Sequence, residues 1–146
     1  MSPKGKKLTQ TRAKKLLSKR NITLLCGHYE GVDQRAIDLI VDEEISIGDY
    51  VLSGGELGAM VLVDCVARMV DGVLSEKECY EDESIASGLL EYPQYTRPAD
   101  YNGIKVPDVL LSGHEANIKK WRLEQSLSIT KERRKDLYNR YVKRKK

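Results

Sequence analysis

Three glycines within eight residues, Gly48, Gly54 and Gly55, divide the segment Ser46–Leu57 into a strand-like start, a bare turn and the opening of an apolar helix. No other part of the chain constrains the fold as strongly. Without Cβ atoms, backbone amides and carbonyls can approach a bound molecule. Ligands of α/β proteins gather where strands end and helices begin. The segment is therefore expected to hold a small cofactor, with the rest of the chain bringing a nucleic acid to it. Ser53 and Glu56 have the S-x-x-E spacing of a capping box, which predicts a helix starting at Gly54.

A chain of 146 residues makes one domain, or one domain with an appendage. No apolar run approaches the length of a membrane span. The basic N-terminus Met1–Lys7 has no apolar stretch behind it and is not a secretory signal. Cys26, Cys65 and Cys79 are odd in number and form no C-x-x-C pair. That argues against a disulfide framework or zinc site and fits a reducing cytoplasm.

Charge is strongly partitioned. Residues 1–20 carry eight Lys/Arg and no acid, and residues 113–146 carry twelve against four acids. The middle, 21–112, has five basic and eighteen acidic residues. Basic ends on an acidic body suggest contact with a phosphate backbone, or simply solvated helix faces.

Along the chain, Leu8–Arg20 has helical spacing, and Ile22–Cys26 has the composition of a buried strand. Gly27–Gly31 is a glycine-bounded turn without the dinucleotide fingerprint. Val32–Val41 returns to helical spacing. Ile45, Ile47 and Tyr50–Leu52 suggest strand, and a long helix is expected from about Gly54 to Val70. Strand–turn–helix repeated twice is an α/β signature. Asp71–Gly88 is acidic and aperiodic, the pattern of an exposed, mobile linker. Val109–Leu111 suggests a last strand. Ser112 and Glu115 have capping-box spacing before a helix through Ile118, Trp121, Arg122, Gln125 and Ser126, and the basic tail from Thr130 is helical.

The cysteines and histidines form no catalytic set. His28 sits in a glycine turn where it can touch a ligand, whereas His114 is a helix-start residue. Glu81-Asp82-Glu83-Ser84 follows the helix that carries Arg68. A carboxylate that removes a proton and a guanidinium that steadies the resulting anion form a base–electrophile pair, although a solvated loop and a surface arginine have the same spacing. Arg97 beside Tyr95 matches the arginine–aromatic mix used to stack unpaired RNA bases. Lys119, Lys120, Arg122 and the tail arginines suit phosphate contact.

Four motifs in order, Cys26–Gly31, Asp42–Glu56, Gly88–Pro98 and Val109–His114, closely resemble the bacterial tRNA (guanine-N1-)-methyltransferases of the trefoil-knot (SPOUT) class. The resemblance covers nearly the whole chain. It implies an α/β fold: a knotted domain over 1–72, incomplete at its N-terminus, an acidic linker over 73–86, and a small, mostly helical tRNA-binding domain over 87–146. It implies methylation of guanine-37 of tRNA with S-adenosylmethionine as donor, in a cytoplasmic homodimer whose active site is shared between copies. Positions matching the cofactor loops are Ser2, Pro3, Gly27, Tyr29, Glu30, Gly31, Ser46, Ile47, Gly48, Asp49, Tyr50, Val51, Leu52, Gly54 and Gly55. The general base matches Glu83, with Asp82 adjacent, and Arg68 matches the arginine that steadies charge on guanine O6. Members of the family require magnesium, so Mg²⁺ is a further implied cofactor, although no ligand spacing marks a site.

Departures from the pattern are His28 in place of arginine, Gly58 in place of proline, and a short basic end. The family begins with roughly another third of chain, so the sequence reads as a truncated gene model or fragment with a sheet edge and an apolar face uncovered. The alternative to the enzyme is a catalytically inactive RNA-binding remnant.

Overall fold

The structure, a computed structural model, describes residues 1–74, 85 and 87–145. Two compact units divide the chain, Met1–Lys77 and Glu78–Lys146. Both contain helices and short strands, a mixed α/β composition.

The first unit is built on a two-residue parallel ladder. Strand β1 (Lys6–Lys7) pairs with β2 (Ile45–Ser46), with Lys6 opposite Ile45 and Lys7 opposite Ser46. Gly5 permits this pairing, because a Cβ there would run into the backbone of Glu44. Between the two strands come α1 (Gln10–Leu16) and α2 (Gln34–Ile40). Thr9 caps α1 by accepting a hydrogen bond from the Arg12 amide (3.3 Å), which starts the helix two residues later than the apolar spacing suggests. Asp33 caps α2 by accepting from the Arg35 amide (2.9 Å).

Helix α3 (Glu56–Ala67) packs on α1, and Ala13, Ile45, Leu62 and Met69 form the unit's core. The helix is apolar almost all round. Gly58 and Leu62 are buried, while Leu57, Met60, Val61 and Val63 remain about half exposed or more.

Two expected strands are absent. Ile22–Cys26 and Tyr50–Leu52 run outside any ladder among the described residues, and Ile22, Leu25 and Val51 are exposed. An apolar run becomes a strand only where a neighbour takes up its amides and carbonyls, and neither run has that neighbour here.

In the second unit, a hairpin of β3 (Asp100–Tyr101) and β4 (Ile104–Lys105) precedes α4 (Asp108–Leu111), α5 (Glu115–Arg133) and α6 (Lys135–Lys145). Val109–Leu111 is thus helical, not a strand. Pro107 fixes the chain just before it and Asp108 carries negative charge into the first turn. Helix α5 packs against both α4 and α6. Its core position Thr130 is fully buried and satisfied twice: its Oγ1 donates to the Ser126 carbonyl (2.6 Å) and accepts from the Leu90 amide (2.8 Å). Leu89 and Leu137 are buried in the same unit. No described helix is long and apolar enough to cross a membrane.

Candidate functional site

The site grows from a backbone contact between the two glycine loops. The Gly55 amide donates to the Gly27 carbonyl (2.9 Å), and His28 bridges antiparallel to Gly54. A Cβ on Gly55 would lie 2.8 Å from Cys26 Cα, and one on Gly54 would lie 2.9 Å from His28 Cδ2. Only residues without side chains permit this approach. The same contact explains why the Ser53–Glu56 capping box does not form. With its amide held by Gly27, Gly55 becomes the N-cap, and α3 begins at Glu56 without a side-chain cap.

The turn Gly27–Gly31 forms as its glycines suggest. Gly31 N donates to His28 O (2.9 Å), Gly31 takes φ +103° and Tyr29 takes φ +54°. Tyr29 stands almost wholly in solvent, 95% exposed, beside the His28 ring (4.6 Å between centroids). Ser46 is buried, and its hydroxyl donates to the Gly48 carbonyl (3.0 Å) and lies 3.2 Å from the Gly48 amide, which bends the chain sharply after β2. Asp49 pairs with Lys7, and Arg12 pairs with Glu43. Part of the basic N-terminal charge is therefore spent inside the unit.

The N-terminal segment joins the same neighbourhood. Ser2 N donates to Ile45 O (3.0 Å), Met1 N donates to Leu25 O (2.8 Å), and the Met1 side chain lies over Gly58. Segments 1–5, 24–31 and 44–58 are thereby brought together although they are far apart in sequence. The loops present exposed apolar side chains, Tyr29, Tyr50 and Val51, beside nearly bare backbone.

Arg68 lies elsewhere. It is the C-cap of α3, with its amide bonded to the Asp64 carbonyl (3.2 Å). The twelve residues of α3 separate it from Gly55, about 20 Å along the axis. Arg68 instead lines an open depression of about 500 Å³ with Gln10, Met60, Val61, Asp64 and Cys65. Gln10 is tied there by its contacts to Met69 Sδ (3.1 Å) and Cys65 Sγ (3.8 Å). Burial, and then the neighbouring Asp64 carboxylate, push the Cys65 thiol above its usual range, so it is a poor nucleophile. Gln10 carried no sequence signal, because a polar residue on a short amphipathic helix looks like a solvated one. The candidate bases Asp82 and Glu83 lie outside the described residues.

In the second unit, the segment 92–99, Val106, α4 and α5 enclose a depression of about 400 Å³. The Arg122 guanidinium lies 4.7 Å from the centre of the Tyr92 ring, and Tyr95 and Trp121 rings stand 6.3 Å apart at 55°. The Ser112–Glu115 capping box also fails to form. The Ser112 hydroxyl donates to Val109 O (2.7 Å) and accepts from His114 N (3.2 Å), leaving His114 as an N-cap without a side-chain bond.

Among known proteins, residues 1–140 match the family described as tRNA (Guanine-1)-methyltransferase TrmD. The tRNA (guanine-N(1)-)-methyltransferase of Ruminiclostridium cellulolyticum is 66% identical over 140 residues, covering 96% of this chain and 60% of that protein. The one from Clostridioides difficile is 57% identical over 140 residues, covering 96% and 61%. That of Alkaliphilus oremlandii is 58% identical over 146 residues, covering 100% and 59%. The chain thus spans about three fifths of the length of the curated relatives it matches.

Proposed function

The chain belongs to the tRNA (guanine-1)-methyltransferase family, and from that premise we propose that it is a tRNA (guanine-37-N1)-methyltransferase using S-adenosylmethionine. The observation that carries the reading is the Gly55–Gly27 hydrogen bond, which joins the turn 27–31 to the loop 46–55. The joined loops offer peptide edges without side chains at Gly54 and Gly55. Beside them, Tyr29, Tyr50 and Val51 offer exposed apolar surface suited to an adenosine. When bound, S-adenosylmethionine supplies a methyl group on a positively charged sulfur.

The remaining work falls to the chain's own side chains. Guanine N1 carries a proton at neutral pH, and a carboxylate must take that proton before the nitrogen lone pair is free. Glu83 is the proposed base, with Asp82 the neighbouring candidate. Arg68 donates to guanine O6 and opposes the negative charge that gathers there as the proton leaves. Among the described residues no three His, Cys, Asp or Glu side chains converge, and no step is routed through magnesium.

A homodimer completes this proposal. Gly55 and Arg68 stand at opposite ends of α3, about 20 Å apart along its axis. The helix between them is apolar on its exposed side, the signature of a face that another surface covers. A second copy lying on α3 would supply the missing part of each site. The trefoil knot, the division into a cofactor domain (1–72), linker (73–86) and tRNA domain (87–146), and a cytoplasmic location belong to the same proposal.

The test is methyl transfer to a tRNA with guanines at positions 36 and 37. A methyl on N1 blocks the Watson–Crick edge, so reverse transcription is expected to stop next to guanine-37. Normal tRNA retention without transfer would reject the enzyme in favour of an inactive RNA-binding remnant.

A further inference from the structure

The depression in the second unit has the chemistry of a nucleotide site. Its lining combines Tyr92, Tyr95, Arg97 and Arg122 with the apolar side chains of Val106, Leu110 and Ile118. Its volume of about 400 Å³ lies within the range of small-ligand sites. Neither arginine has a carboxylate partner among the described residues. Arg122 instead lies over the Tyr92 ring, 4.7 Å from its centre, and its N–H groups remain available to an anion. Tyr95 is 46% exposed, so its ring is accessible from solvent.

We propose that this depression binds one unpaired RNA nucleotide, with the base against Tyr95 and the apolar lining and the anionic phosphate between Arg97 and Arg122. Guanidinium groups without carboxylate partners alone would suit any anion, an acidic peptide included. Exposed aromatic surface and apolar lining residues in the same depression call for a flat, polarisable ring attached to that anion, which is what a nucleotide supplies. In a duplex the faces of the base are covered by its stacked neighbours, so the pocket selects unpaired bases. The inference takes tRNA as its source from the proposed function, while its chemistry requires only a single-stranded nucleotide.

Trp121 is the chain's only tryptophan and stands beside Tyr95, so its fluorescence reports occupancy. The experiment titrates the full chain with a short RNA stem–loop and with the same stem closed into a fully paired duplex. The stem–loop is expected to change Trp121 emission and to bind more tightly than the duplex. Tyr95→Ala is expected to weaken stem–loop binding by about tenfold or more, the usual worth of one stacked base, and to leave duplex binding unchanged. Arg97→Gln, at an exposed loop position, is expected to weaken it and to flatten its salt dependence. Replacing the loop nucleotides one at a time by abasic sites should find one that abolishes the Tyr95→Ala effect. Equal binding of loop and duplex, or unchanged stem–loop affinity in both variants, would overturn the proposal, as would absence of stem–loop binding. Loop-selective binding without methyl transfer would leave this pocket standing and reject the proposed function instead.

Discussion

Gly55→Ala tests the contact that builds the proposed cofactor site. Gly55 has φ −79° and ψ −9°, a conformation open to any residue, so an alanine there is not strained by its own backbone. The cost is steric. Its Cβ would stand 2.8 Å from Cys26 Cα, 3.1 Å from Cys26 Cβ and 3.3 Å from Gly27 N, inside the roughly 3.5–4.0 Å at which carbon atoms rest. Two of these neighbours are backbone, so relief requires the two loops to part. Overpacking of this kind costs roughly 1–3 kcal/mol, and losing the 2.9 Å Gly55–Gly27 hydrogen bond adds about 1 kcal/mol. A total near 2–4 kcal/mol corresponds to about 30- to 700-fold weaker binding of a ligand that needs the loops joined. Calorimetric titration with S-adenosylhomocysteine measures it, with thermal unfolding alongside to separate loss of the site from loss of the fold. Gly27→Ala is the comparison: its Cβ meets one Val32 methyl at 3.3 Å and nothing else nearer than 3.6 Å, so its effect should stay within about 1 kcal/mol. Gly55→Ala binding within twofold of the parent, or no weaker than Gly27→Ala, would refute the assignment of these loops to the cofactor.

Arg68→Ala is expected to lower kcat while leaving cofactor affinity nearly intact, and equal loss of both would reject its role at guanine O6. Glu83→Gln should abolish transfer with Asp82→Asn tolerated, the reverse result moving the base to Asp82. Thr130→Val keeps the shape of a fully buried side chain but strands the Leu90 amide; chemical denaturation of the second unit should show a loss of about 1–3 kcal/mol. The Asp136 carboxyl is held well below the usual carboxylate range, first by Arg134 and then by further contacts including Arg140. Because its folded pKa lies below the unfolded one, the stability it contributes is present above about pH 4 and is lost as pH falls further. Asp136→Asn should remove that part of the acid dependence.

The helices were the most legible part of the fold. The apolar run in α3 and the spacing of Ile118, Trp121 and Gln125 in α5 are local facts that survive folding. Caps were less so. S-x-x-E occurs at both Ser53 and Ser112, but a cap depends on which amide is free, and one start is set by Gly27, 28 residues away. Strands were least legible. Lys6 and Lys7 form β1 with no apolar pattern to announce it, because pairing uses only their backbone. The apolar Ile22–Cys26 run carries the pattern and pairs with no ladder strand among the described residues. At the candidate site, the glycines of 46–57 were readable as places where backbone can approach a ligand, and those of 27–31 as a turn. Their contact with each other was not, nor was the placing of Gln10 beside Cys65 and Met69, since both join residues distant in sequence.

The central claim, a methyl-transfer site completed between two copies, is tested most directly by co-expressing Arg68→Ala and Glu83→Gln chains and measuring methyl transfer to tRNA. Alone, Glu83→Gln is expected to be inactive and Arg68→Ala to keep only a small residual rate. If Arg68 of one copy works with Glu83 of the other, every mixed dimer keeps one intact site, and random pairing restores about a quarter of the parent's activity. A mixture no more active than the variants alone, in preparations shown to contain the mixed dimer, would contradict the shared site.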